Sequence, residues 1–140
     1  MNIQDCAYCM GGDLLAAFGY PCIELDETKV YIFKEQSHKG RVIVASKHHV
    51  SELTALSDDQ RNAFFADVAK VAKAQHAAFG PDKVNYGAYG DSGHHLYVDL
   101  VPKYKDEVER NAPFAMNPEK TLLSKEKNKA LAEAIRSHMN

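Results

Sequence analysis

The chain has 140 residues, 45% of them hydrophobic and 26% charged, with a formal net charge of −2. That composition supports one folded domain with its own core and excludes a disordered chain. It also contains no long basic block, so neither a nucleic-acid backbone nor an anionic membrane surface is implied as a partner, although a free nucleotide needs only a few donors.

The opening stretch MNIQDCAYCMGGDLLAAFGYP lacks a basic segment leading into a continuous apolar core, and no apolar run approaches the roughly 18 residues of a membrane span, so a cytoplasmic protein is expected. Three cysteines, two of them in Cys6-Ala-Tyr-Cys9, suit thiol or metal chemistry better than a disulfide framework. Cys22, inside YPCIEL, reads as a buried structural thiol.

Three segments rich in β-branched and aromatic residues follow, at 20–25, 29–35 and 41–47, separated by DET and QSHKG turns, and predict an antiparallel meander. Ser57 and Gln60 form a capping box, Asp58 and Asp59 suit the first turn, and Gly80-Pro81 ends the run, so a helix of about five turns is predicted. Phe64, Val68, Val71, Ala72 and Phe79 recur at helical intervals and place one face of it on a sheet. Two more strands, 83–89 and 95–101, flank the loop GDSGH, with Pro102 expected to stop the second. The tail from Tyr104 to Leu123 reads as irregular and the segment after Ser124 as a terminal helix. Meander, long helix, hairpin and terminal helix make a single α+β domain over 1–140.

Side chains alternate along a strand, so His95, Tyr97, Asp99 and Val101 share one face while Leu96, Val98 and Leu100 share the other. One face is apolar and the other carries chemistry. Cys6 and Cys9 alone could be a metal half-site, a redox pair or two small core residues. His48 and His49 end the third strand and His94 and His95 begin the last, so if those ends are neighbours a Cys2His2 zinc site is the economical reading; otherwise the histidines are solvated strand ends.

The segments KVNYGAYGDSGHHLYVDLVPKY and VIVASKHHVSELTALSDDQ, with the long helix between them, resemble the histidine triad (HIT) family, whose signature is His-x-His-x-His followed by two apolar residues. The resemblance spans about 6–104; residues 105–140 form an extension without a placed match. It implies a HIT-like fold, a five-stranded antiparallel sheet with one long central helix and a C-terminal helix, commonly paired as a homodimer. It further implies a site for a purine nucleotide or nucleotide conjugate, and hydrolysis or transfer at an α-phosphate through a nucleotidyl-histidine intermediate. By position the triad here is His95, Tyr97 and Asp99, so the nucleophilic histidine is replaced by Tyr97 and the third by Asp99.

The resemblance also implies a structural zinc on Cys6, Cys9, His49 and His95, with His48 and His94 as alternates in a shifted register. For the nucleotide it implies Asn85 and Ser92 at the phosphate and sugar, and Glu35 at the ribose hydroxyls, where a solvated strand-end carboxylate is the competing reading. Tyr86 and Tyr89 either stack near a base or pack. A phenol of pKa about 10 is only about 0.1% ionised at pH 7, so Tyr97 needs activation to act as a nucleophile. Asp99, two residues along the strand, is about 7 Å away, and as a bare carboxylate it would oppose a phosphate by roughly 3 kcal/mol at 5 Å. Three functions follow: a nucleotide-binding protein with impaired transferase or hydrolase activity, an active enzyme using Tyr97 or a metal, and a zinc-stabilised dimeric binding module.

Overall fold

Five strands pair antiparallel in the order β1-β2-β3-β5-β4, comprising β1 (Gly19–Glu24), β2 (Thr28–Phe33), β3 (Val42–Ser46), β4 (Lys83–Gly87) and β5 (Tyr97–Lys103). The structure, a computed structural model, describes residues 3–90, 93–105, 107, 111–115 and 121–139. Among the described residues four α-helices accompany the sheet: α1 (Ala7–Met10), α2 (Gly12–Ala16), α3 (Asp58–Phe79) and α4 (Lys125–Ser137). The α+β architecture read from the sequence is the one observed. Among the described residues no helix is long and apolar enough to cross a membrane.

The core lies between one sheet face and the two long helices. Val30, Ile32, Val42, Val44, Val98 and Leu100 meet Phe64, Val68, Val71 and Ala72 of α3 and Leu131, Ala132 and Ile135 of α4, all buried. The capping box of α3 forms as predicted, Gln60 N donating to Ser57 Oγ at 3.1 Å and Ser57 N to Gln60 Oε1 at 2.9 Å, and Gly80 closes the helix in the left-handed region. Buried Asp67 of α3 accepts from Glu27 N and from Thr28 Oγ, both at 3.0 Å, tying the helix to the β1–β2 turn. Cys22 is buried, its Sγ facing the Ala132 carbonyl at 3.6 Å.

Pro102 does not stop β5, which runs on to Lys103 with Val84 opposite Pro102 and Lys83 opposite Lys103. The partnership with β3 ends at Leu100, so Pro102 lies beyond the central strand and its missing N–H removes no bond there.

The extension wraps back onto the β2–β3 loop. Tyr104 Oη donates to the Lys39 carbonyl at 2.6 Å, His38 Nδ1 meets Glu107 Oε2 at 3.2 Å, and Gln36 N donates to the Thr121 carbonyl at 2.7 Å. Glu35 is buried rather than solvated, and accepts from Ser37 N, Ser37 Oγ and Thr121 N. Burial alone would raise its pKa, but these donors outweigh it and hold the carboxyl below the usual range. A depressed folded pKa contributes stability that is complete above the unfolded value of about 4.3 and is lost as pH falls through the folded one. The stability deficit of Glu35→Gln, measured by urea unfolding, is therefore expected to be full at neutral pH and to shrink toward about pH 3. A deficit independent of pH would contradict this assignment.

Candidate functional site

The opposite sheet face carries Tyr31, Ala45 and Tyr97, covered by Tyr8, Phe18 and Leu15 from the N-terminal segment. Helix α1 is a single turn, too short to persist alone. What holds it in place is visible at its cysteines.

Cys6 precedes α1, Cys9 lies within it, His49 follows β3 and His95 precedes β5. Their four ligand atoms lie within 4.8 Å of one another. His95 Nδ1 is 3.3 Å from Cys6 Sγ and 3.5 Å from Cys9 Sγ; His49 Nδ1 is 3.2 Å from Cys9 Sγ and 3.4 Å from His95 Nδ1. A tetrahedron with metal–sulfur bonds of about 2.3 Å and metal–nitrogen bonds of about 2.05 Å has ligand–ligand edges of about 3.3 to 3.8 Å, so these four distances are near those of one zinc site, while the whole set, within 4.8 Å, is somewhat wider than such a tetrahedron.

The surroundings orient the donors. His95 Nε2 donates to the Ser46 carbonyl at 2.7 Å, which leaves the Nδ1 lone pair aimed at the cysteines. Burial lowers the His95 pKa against the opposing effect of that carbonyl, and His49 lowers it further, favouring the neutral ring a metal needs. Desolvation, then the neighbouring Cys6 thiol, push the Cys9 thiol up to about 11, a trend a bound cation would reverse. Of the two alternate histidines, His48 turns away to Glu27 Oε2 at 2.9 Å and His94 is exposed.

Tyr97 begins β5 half-buried, and Tyr8, the residue before Cys9, lies over it with ring centroids 6.0 Å apart and planes 28° apart. Tyr8 also meets His95 at 5.0 Å, Tyr31 at 6.1 Å and, edge-on, Phe18 at 5.7 Å. Burial, then the nearby Tyr97 and Asp99, push the Tyr8 phenol far above its ordinary range, so it stays neutral.

Asp99 is 2% exposed and does not stand as a bare carboxylate. Arg41, itself 1% exposed, reaches it from the residue just before β3 with Nη2 3.2 Å from Oδ2. The guanidinium carbon lies 4.3 Å from the Phe33 ring centre and 5.0 Å from that of Phe114, and Nη1 donates to the Ala115 carbonyl at 2.9 Å. Burial pushes the Asp99 carboxyl up and Arg41 pulls it back, leaving a net upward shift. The repulsion toward a phosphate expected from sequence assumed an uncompensated charge; the adjacent guanidinium supplies the compensation.

Asn85 is half-buried on β4 opposite Val101, on the face that carries Asp99. Glu35 is committed to Ser37 and the extension, and Ser92 lies outside the described residues. Tyr8, Arg41 and Phe114 were not singled out from sequence. Arg41 had a signal: it alternates with Ile43 and Ala45, and a charge at that place calls for an opposite charge on the neighbouring strand.

No family model matches the chain. Among curated proteins it is 25% identical over 108 residues to "Protein hit" of Bacillus subtilis (strain 168), covering 72% of each. A histidine triad protein from Marinobacter aquaeolei VT8 superposes with a TM-score of 0.83 at 16% identity, over 93% of this chain and 95% of that one, so the likeness runs beyond residues 6–104. A hypothetical histidine triad nucleotide-binding protein from Sulfolobus tokodaii strain7 gives 0.70 at 20% identity, covering 86% and 83%. A Zn-bound histidine triad family protein from Mycobacterium smegmatis gives 0.69 at 15%, covering 97% and 96%. With five strands in one antiparallel sheet, two long helices on one face and these superpositions, the chain has the fold of the histidine triad proteins.

Proposed function

We propose that this chain is a zinc-stabilised nucleotide-binding protein on the histidine triad fold in which transfer through a nucleotidyl-histidine has been lost. The observation that carries the reading is the buried Asp99–Arg41 pair beside Tyr97. At the nucleophile's position stands a phenol, which is a poor nucleophile at neutral pH without an activating base. Asp99, the carboxylate on the same strand face, is engaged by Arg41 and so is badly placed to take the Tyr97 proton, which weighs against an enzyme that uses this tyrosine. Neutralising Asp99 removes the main obstacle to an anion nearby, which favours retained binding over a site abandoned altogether.

Cys6, Cys9, His49 and His95 would hold the zinc. Four protein ligands leave no open position, so the ion would act in folding and not on substrate. Among the described residues the sheet ends in two edge strands, β1 and β4, and pairing through one of them would make a homodimer. Light scattering is expected to give twice 15.6 kDa, and a concentration-independent mass of 15.6 kDa would contradict it. The functional test combines calorimetric titration with adenosine 5′-monophosphate and turnover of adenosine 5′-phosphoramidate. Saturable binding without catalysed release is expected; absence of both would return the fold to a purely structural or protein-binding role.

A further inference from the structure

The Asp99–Arg41 pair is covered by a stretch of its own chain. The Phe114 ring lies 5.0 Å from the guanidinium carbon, which also lies 4.3 Å from the Phe33 ring, and the Ala115 carbonyl accepts from Arg41 Nη1 at 2.9 Å. Gly87, opposite Asp99 in the register, makes room for this cover: a Cβ there would lie 2.8 Å from the Phe114 ring and 2.7 Å from that of Tyr89, which meets Phe114 edge-on. Arg41 alternates with Ile43 and Ala45, the register partners of Asp99 and Tyr97, so all of these groups share one sheet face.

What the stretch offers Arg41 is one acceptor oxygen and one planar ring. A nucleoside monophosphate offers the same two things in stronger form. Its phosphate oxygen is an anionic acceptor, for which a guanidinium bond is about twice as strong as for a neutral one, and its base can stack on the guanidinium plane as an aromatic ring does. Arg41 can exchange one acceptor for the other without releasing Asp99, because Nη2 holds the carboxylate and Nη1 holds the carbonyl. The incoming anion therefore meets a compensated carboxylate.

Nor is the stretch built into the core. Phe114 is 7% exposed, yet it belongs neither to the core between sheet and helices nor to the apolar group around Tyr31. Beside it a cleft of about 690 Å³ runs along β4, its wall including Asn85, Tyr89, Phe114 and residues 111–113. Residues 111–114 thus border open space on one side, and they can withdraw without unpacking Val98 or Leu100 from the helices.

We propose that Phe114 and Ala115 hold the ligand's own place on Arg41, so that a nucleoside monophosphate binds this face by displacing them, its phosphate taking Nη1 and its base taking the guanidinium surface that Phe114 leaves. The proposal rests on the nucleotide-binding reading and adds to it the anion receptor and the regulation of the site. The apparent Kd is then the intrinsic one divided by the fraction of molecules in which the stretch is displaced.

Calorimetric titration of the full-length protein with adenosine 5′-monophosphate tests it. Phe114→Ala is expected to bind at least tenfold more tightly than the parent. Phe114→Ala/Arg41→Lys is expected to lose that gain, because lysine keeps a charge beside Asp99 without the second nitrogen of the fork. In the parent, amide hydrogen exchange is expected to quicken at Phe114 and Ala115 as the monophosphate saturates, while the α3 amides stay protected. Equal or weaker affinity in Phe114→Ala would overturn the displacement and leave nucleotide binding standing. Slower exchange at Phe114 and Ala115 would overturn it as well, since the ligand would then pack on the stretch instead of replacing it. No binding to parent or Phe114→Ala at millimolar monophosphate would remove the proposal and the nucleotide reading together.

Discussion

Replacing Arg41 by methionine is expected to lower the unfolding free energy by about 3–5 kcal/mol, because it leaves the Asp99 carboxylate buried without a partner. Both side chains are almost fully inaccessible, so water cannot substitute for the lost guanidinium. The double variant Arg41→Met/Asp99→Leu is expected to recover most of that loss, since a buried ion pair can often be replaced by apolar groups of similar volume at little net cost. Urea unfolding of parent, both single variants and the double variant closes the cycle. Losses in the single variants that simply add in the double one would show that the two groups do not act as a pair. The same pair governs any attempt to rebuild the triad. Tyr97→His/Asp99→His places an imidazole against Arg41 with its counter-charge gone, so restoring both histidines destabilises the protein unless Arg41 is replaced with them.

Removing the proposed zinc is the second large expected effect. Structural zinc sites contribute on the order of 10–16 kcal/mol of apparent binding free energy at pH 7, and here the ligands come from three separate parts of the chain. Elemental analysis of untagged protein is expected to find about one zinc per chain. Chelation, or Cys6→Ser with Cys9→Ser, should release the N-terminal segment first. Tyr8 sits between the two cysteines and covers Tyr97, so its ring is the reporter, and loss of the site should appear as exposure of tyrosine together with a lower melting temperature. Metal-free protein of unchanged melting temperature in the serine variants would end the zinc assignment.

Much of the sheet was legible because its two faces differ. The alternation of Leu96, Val98 and Leu100 with His95, Tyr97 and Asp99 has the period of a half-buried strand, and Ser57, Gln60 and Gly80 mark the ends of the long helix by local chemistry. The four candidate zinc ligands were legible because Cys-x-x-Cys is a local pattern and the two histidine pairs sit at strand ends. What was not legible is whatever depends on contacts distant in sequence. Helices α1 and α2 are too short to show periodicity, and their placement follows from Cys6 and Cys9 meeting His49 and His95. Arg41 finds Asp99 only once β3 lies beside β5, 58 residues on. Phe114 comes from an irregular stretch with no turn or strand signal of its own, yet it caps the guanidinium and walls the β4 cleft. Glu35 read as a strand-end carboxylate because its partner Thr121 is 86 residues away.

Under the proposed function, these long-range contacts separate a binding protein from an enzyme, since they commit Asp99 to Arg41 and lay Tyr8 across Tyr97. The measurement that addresses this most directly is turnover of adenosine 5′-phosphoramidate by the unmodified, zinc-loaded protein, with bound and released nucleotide quantified in the same samples. The expected result is saturable binding with release no faster than in buffer, unchanged by Tyr97→Phe. Catalysed release that saturates with substrate and disappears in Tyr97→Phe would contradict it, because the tyrosine would then be a working nucleophile on an active enzyme.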